Sequence, residues 1–544
     1  MGLSHWDEYY YIDTAVWNMN VAHGFFQAYD PPFFPLLLSI MFGVFGVQDY
    51  VAVATSEITA LLLCALTFWW TRRECDFRTA IVSALILAST PIFVYYAKMA
   101  LTDMTYSLFF SATIFTYYDA LKKRSNSAFL VAGVLLASTI GVKYTGFLSL
   151  LIVLIFIPIS CLSILNGKIT FQKSISYLRE LSSDFVKLWL SVTPVLVLSV
   201  LFLLYLASPF PLLSGSGTQA GSLIQKLSQG FSYLAFTIYP LKAETPQFFV
   251  TIDFYGDIIT EFVGVSIIVL ATIGAVSGLV KRQISTVLLL IWASLIFIFF
   301  ASLPGRLPRV ILPMIVPVSI LAGKGILSCA SAIVRFLNAL TLTKVRKRKL
   351  SALIQVSFVL LIVLTQLYFA LPAIINTHSA YREAAEFIAN NLSNHLVFYR
   401  TQPVLLVYLD HLGAQAELVD GIPLLNESYA VVLDFIAEVS PDYAQIQARV
   451  SQMTLAVRIN NDVPILNMLD STPLSAIRQF DPDRMSIRIY LQSPASMSNS
   501  PAQSYFPIQI TAKPVLFEIA SILRSNPNLR SVRESVEGSA KIPI

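Results

Sequence analysis

Residues 284–303, ISTVLLLIWASLIFIFFASL, run for twenty positions without a charged side chain. A helix needs about 17 to 25 apolar residues to cross the hydrocarbon core of a bilayer, so this stretch predicts a spanning helix. The same reading outward finds nine more stretches, near 49–70, 78–97, 104–121, 128–143, 146–165, 188–208, 259–280, 307–333 and 352–373. The fourth and fifth almost meet between Lys143 and Thr145, which predicts a tight hairpin or a re-entrant pair there. Composition points the same way. Of 544 residues 56% are hydrophobic and only 13% charged, against about 25% charged in a soluble domain. Modest Gly, Pro and Cys counts (22, 27 and 4) exclude collagen-like, disordered and disulfide-stapled chains. The expected fold class is a polytopic α-helical membrane protein with about ten spans.

Short cytoplasmic loops collect Lys and Arg, which orients the spans. Alternate loops hold Arg72, Arg73 and Arg78; Lys122, Lys123 and Arg124; Lys168, Lys173, Arg179 and Lys187; Lys281 and Arg282; and Arg335, Lys344, Arg346, Lys347, Arg348 and Lys349. Those eighteen basic residues face six on the other side: Lys98, Lys143, Lys226, Lys242, Arg306 and Arg309. The N-terminal segment and everything after about residue 374 are therefore expected outside the cytoplasm. For an exported N-terminal segment with no apolar stretch before it, either the short segment crosses unaided or an eleventh span lies upstream in a longer chain, and the second reading is favoured. Cys64, Cys75, Cys161 and Cys329 fall in spans or on the cytoplasmic side, and the external tail has no cysteine to oxidise.

Four domains are expected. Residues 1–48 form a first external loop with an Asp-Glu pair. Its segment 31–46, PPFFPLLLSIMFGVFG, is too short to span and fits an interfacial helix. Residues 49–373 form the membrane domain. Residues 374–492 form an extracytoplasmic α/β domain, with helical patterns at Tyr381–Leu392 and Pro441–Val450 and β-rich runs at Leu396–Tyr399, Ala430–Leu433, Thr454–Ile459 and Ser486–Leu491. Residues 493–544 are a Ser/Pro-rich linker, SPASMSNSPAQ, and a tail with one helical pattern at Pro514–Arg524. No glycine-rich phosphate loop follows any strand, and no nucleic-acid partner is expected.

Ionisable residues in or beside spans are costly and mark function by default. Glu57, Lys98, Asp103, Lys143, Glu261, Arg306 and Arg309 map to the outer half of the membrane, and Asp7 and Glu8 join them. Asp119 and Lys324 sit near the inner ends, where long side chains snorkel to water. The bland reading of any one outer charge is also snorkelling or a structural ion pair. Together, carboxylates that act as bases or metal ligands and cations that bind phosphate suit a reaction on a phosphate-bearing lipid at the outer leaflet.

Three ordered motifs carry a family resemblance. WDEYYYIDTA (residues 6–15) is followed by YDPPFFPLLLSIMFGVFGVQDY (29–50); AKMALTDMTYSLFF spans 97–110; GVKYTGFLSL (141–150) and LPGRLPRVILPMIVP (303–317) come later. The set resembles the GT-C class of membrane glycosyltransferases, which includes protein O-mannosyltransferases and the lipid A aminoarabinose transferase. It departs at Asp30, where relatives often carry His or Lys, and at Lys98, which stands for a commoner Arg and loses the bidentate fork.

The resemblance implies a multi-pass enzyme of a prokaryotic plasma membrane, with a polyprenyl-phosphate-linked sugar as donor and a protein, lipid or glycan hydroxyl as acceptor. It implies catalytic roles for Asp7, as general base, Glu8 and Asp103, and donor-phosphate binding by Lys98, Lys143, Arg306 and Arg309. A single carboxylate-activated displacement would invert the sugar. No cofactor is fixed; Mg²⁺ or Mn²⁺ held by Asp7 and Asp103, with His5 or His23 adding a ligand, is the metal version. The alternatives are a transporter or flippase, which would place its charges at the midplane in repeated halves, and a membrane-anchored scaffold with an external binding domain.

Overall fold

The computed structural model describes residues 3, 6–19, 31–162, 171–207, 248–303, 307–338, 344–375, 379–392, 395–401, 404–414, 417–420, 429–434, 437, 443–460 and 486–492. The apolar stretches fold as helices because a backbone in lipid must satisfy its hydrogen bonds internally. In chain order they are α1 (Trp6–Asn18), α2 (Phe33–Phe45), α3 (Asp49–Glu74), α4 (Phe77–Ser89), α5 (Pro91–Ala97), α6 (Thr102–Lys123), α7 (Asn126–Val142), α8 (Phe147–Leu162), α9 (Phe171–Ala207), α10 (Phe248–Ile258), α11 (Val265–Val280), α12 (Ile284–Ala301), α13 (Leu312–Asn338) and α14 (Lys344–Ile375). Every one of the ten expected spans falls on this set. Among the described residues six helices are long and apolar enough to cross a membrane, and the pair α4–α5 makes a seventh if it counts as one span. Helices α6, α7 and α9 account for the other three expected segments.

Sequence explains the breaks. Thr90 is extended (φ −64°, ψ 124°) because the residue before a proline is driven out of the helical region, and Pro91 then starts α5, bent 65° from α4. Between α7 and α8 the chain turns through Lys143, extended at φ −155°, and a short 3₁₀ turn at Tyr144–Gly146, at the place where the sequence predicts a tight hairpin or a re-entrant pair. A side chain at Gly146 would meet the Thr139 carbonyl carbon at 2.7 Å, so only glycine closes this turn. A π-helical turn, Ile259–Gly264, joins α10 to α11, with Gly264 at φ +96°. Helix α2, at thirteen residues, is about 20 Å long. It packs on α1 through the Tyr11 and Phe34 rings, 5.5 Å apart, and a hydrogen bond from Ser39 Oγ to the Ala15 carbonyl at 3.0 Å.

Helix α13 is the core of the membrane body. Residues 308–326 are all buried, whereas along Leu353–Leu371 on α14 only Ile362, Gln366 and Ala370 are. α11 approaches α13 closely because Gly274 faces the Leu321 carbonyl and Gly325 faces the Leu270 carbonyl, with no room for a Cβ at either place; small residues let membrane helices touch backbone to backbone. At the end carrying the basic loops, Glu74 accepts from Lys122 Nζ and Tyr118 Oη, both at 2.9 Å, and Arg73 pairs with Asp119. Lys324 differs from the expectation of snorkelling. It is buried, and its ammonium donates to Gln283 Oε1 and Thr286 Oγ1, both at 3.1 Å, because the loop after α11 and the first turn of α12 supply polar partners that water would otherwise provide.

The described residues cluster into two compact units. The first comprises Met1–Phe387, Gln402–Ala414, which carries α16 (Val404–His411), and Ile459–Ile487. The second is built on a five-stranded sheet ordered β2-β1-β3-β5-β4. Its strands are β1 (Leu396–Arg400), β2 (Glu417–Asp420), β3 (Tyr429–Leu433), β4 (Thr454–Ile459) and β5 (Ile487–Leu491). β1 pairs in parallel with β2 and β3, and β5 runs antiparallel to β3. In the chain α15 (Tyr381–Asn391) precedes β1, and α17 (Tyr443–Val450) precedes β4. β3, YAVVL, is buried throughout, and Phe398, Tyr429, Val431, Ile446 and Val450 fill the core beside it. The four strands expected from sequence are all present. The linker 493–503 and the pattern at Pro514–Arg524 lie outside the described residues.

Candidate active site

Asp7 and Glu8 occupy the first turn of α1, where a helix favours negative charge. The Glu8 carboxylate is 1% exposed and accepts the Ala100 N–H at 2.7 Å, which fastens α1 to the loop before α6. The Asp7 carboxylate is 30% exposed and lies 2.5 Å from Arg309 Nη2. Arg309 sits in the 3₁₀ turn Pro308–Ile311 that leads into α13. Pro308 opens this turn because its fixed φ suits a helical start and its missing N–H has no partner to lose.

Asp103, in the first turn of α6, is 1% exposed and links two cations. Its Oδ1 accepts from Lys143 Nζ at 2.7 Å, and its Oδ2 lies 3.9 Å from Arg309 Nη1. Lys143 reaches it from the extended hairpin after α7, and its ammonium lies 5.7 Å from the centre of the Tyr106 ring, where a cation gains from the ring's negative face. Asp7, Arg309, Asp103 and Lys143 therefore form one row of alternating charge, supplied by four separate elements. Taking four charges out of water is expensive, and their mutual attraction repays it only partly. Such a row in a membrane body is a candidate functional site.

The structure brings together Asp7, Glu8, Asp103, Lys143 and Arg309 of the residues singled out from sequence. Lys98 lies after α5, half-buried, and the charge facing it is Glu57 on α3; burial pushes its ammonium pKa down while Glu57 opposes the change. Arg306, Asp30, His5 and His23 lie outside the described residues. Among the described residues no three His, Cys, Asp or Glu side chains gather as metal ligands. Asp7 and Asp103 are bridged by the Arg309 guanidinium, which a divalent ion shared between them would have to displace.

The fold is that of the GT-C-type membrane glycosyltransferases. Residues 29–182, which include Asp103 and Lys143, match the family model of dolichyl-phosphate-mannose-protein mannosyltransferases. The chain is similar to the crystal structure of ArnT from Cupriavidus metallidurans in the apo state, at 15% identity and a TM-score of 0.50, covering 92% of this chain and 95% of that one. It is similar to the apo form of the Archaeoglobus fulgidus oligosaccharyltransferase, at 13% identity and a TM-score of 0.51, covering 81% of this chain and 67% of that one. A structure of the same ArnT bound to undecaprenyl phosphate matches at 15% identity and a TM-score of 0.48, with the same coverage. No curated protein matches the sequence.

Proposed function

We propose that the chain transfers a sugar from a polyprenyl-phosphate donor to an acceptor hydroxyl on the extracytoplasmic face. The row Asp7–Arg309–Asp103–Lys143 carries this reading, and the family match supports the donor class. Of the three carboxylates, Glu8 and Asp103 are sealed from solvent and tied to neighbours, so Asp7 is the one a substrate can reach. Asp7 takes the acceptor's proton as the acceptor oxygen bonds to the anomeric carbon. The bond from that carbon to the phosphate oxygen breaks, and its electron pair leaves with the polyprenyl phosphate. One displacement inverts the sugar.

The leaving phosphate gains negative charge, which Arg309 and Lys143 offset in a partly dry site. Asp103 holds both cations in place. Arg309 already pairs with Asp7, so phosphate and Asp7 compete for one guanidinium, and a phosphate that wins leaves the Asp7 oxygen free for the acceptor. Lys98 and Arg306 are proposed to extend the donor contact. No step requires a divalent ion. The excess of basic residues in alternate loops supports a site and an α/β unit outside the cytoplasm.

The test is mass spectrometry of cell-surface lipids, glycans and proteins from cells carrying the wild-type or the Asp7→Asn chain. Loss of one defined mass increment in the variant is expected, with transfer reduced at least about a hundredfold in vitro. Wild-type levels of every glycan in the variant, or retention of configuration with a defined donor, would remove Asp7 as the base.

A further inference from the structure

Leu3 lies three residues ahead of α1 and is fully buried. Both of its backbone polar groups are taken by side chains from remote parts of the chain. Its N–H donates to Tyr408 Oη at 2.8 Å, and its carbonyl accepts from Ser379 Oγ. Tyr408 Oη in turn donates to Asp49 Oδ2 at 3.1 Å. Tyr408 is a buried residue of α16, and Asp49 is the first residue of α3. The phenol stays protonated, because burial and the Asp49 charge both push its pKa up.

A buried N–H must find a partner, so the Tyr408 hydroxyl decides where the chain enters α1. Packing alone does not, because a cleft lined in part by Ile12, Phe42, Val407 and Leu412 opens beside this contact. Downstream, α1 is held through Glu8 on the Ala100 N–H and Asp7 on Arg309. The turn carrying the two acids is thus fixed from both ends, the upstream end by two hydroxyls, Ser379 on the Leu3 carbonyl and Tyr408, itself seated on Asp49, on the Leu3 N–H.

We propose that Tyr408, braced by Asp49, is a positioning residue that acts through Leu3 to set the Asp7–Glu8 turn of α1. This rests on the glycosyltransferase reading above. Removing the hydroxyl leaves the ring and its packing but strands the Leu3 N–H, and a misplacement of about 1 Å at a catalytic group can cost about a hundredfold in rate.

The experiment compares wild-type and Tyr408→Phe chains of full length in nanodiscs, by sugar-transfer kinetics, donor-binding stoichiometry and hydrogen exchange of the backbone amides. The variant is expected to lose about tenfold in kcat, the size of one lost buried hydrogen bond, with the donor KM and binding stoichiometry unchanged. Exchange should rise in residues 3–18 and stay at the wild-type level in α6 and α13. An unchanged kcat overturns the proposal, as does faster exchange spread evenly over the membrane helices, which would mean a general folding role. If the wild type transfers no sugar at all while the exchange of residues 3–18 still rises in the variant, the glycosyltransferase reading falls and the anchoring of α1 stands. If transfer and exchange both match the wild type, the positioning role falls alone.

Discussion

Asp103 receives Lys143 directly and faces Arg309, so its charge offsets two cations while contributing almost no surface of its own. Asp103→Asn would leave Lys143 and Arg309 repelling each other in a dry setting. Transfer measured as kcat/KM should fall about a hundredfold, and the detergent melting temperature should fall as well, because breaking a buried pair costs about 3 kcal/mol. A second expectation concerns metal: chelation with EDTA should leave the transfer rate within about twofold of its starting value. Loss of activity restored by Mg²⁺ or Mn²⁺ would put an ion back between Asp7 and Asp103. Charges that oppose an apolar setting were legible from sequence, which is why Asp7, Asp103, Lys143 and Arg309 could be singled out before any geometry was known. The Tyr408 contact was not, since a tyrosine in a mixed segment and the N–H of Leu3 look like any others until the fold brings them together.

At the scale of elements, the hairpin after α7 places Lys143, and Gly146 allows the turn. Gly146→Ala should press its methyl on the Thr139 carbonyl, lower stability by about 1 to 3 kcal/mol and raise the donor KM, both readable on one preparation. Helix α4 offers a pH test. The Asp76 carboxylate caps it, accepting from the Arg78 and Thr79 N–H groups at 2.9 and 3.0 Å. Although burial raises its pKa, the bonds from Thr79 and Arg78 outweigh that and hold it below the usual carboxylate value. A depressed pKa favours the folded state above the unfolded pKa and is lost as pH falls. Asp76→Ala should therefore cost about 1 kcal/mol near neutrality, and the gap to wild type should close below about pH 4. Element types were largely readable, because apolar length and alternation each have one periodic solution. β2 escaped notice because Glu417 and Asp420 at its ends are poor strand formers, and only its parallel neighbour β1 makes ELVD a strand. α16 escaped because eight residues carry too little periodicity to stand out.

For the whole molecule, orientation is open to a direct check. A membrane-impermeant maleimide applied to intact cells should label a cysteine introduced at the exposed Asp410 and leave Cys75 and Cys329 untouched until the membrane is opened. The opposite pattern would invert the map and move the site to the cytoplasmic face. Helix α13 is buried from Leu312 to Ile326, while α14 is largely bare. Arg309 enters from the shielded helix, so the bilayer meets the molecule mainly through elements that carry none of the row of charges. A thicker or thinner membrane would tilt α14 at a cost of fractions of a kcal/mol per Å while leaving the spacing of the charge row intact. Turnover should then track the donor's head group far more closely than the acyl length of the surrounding lipid.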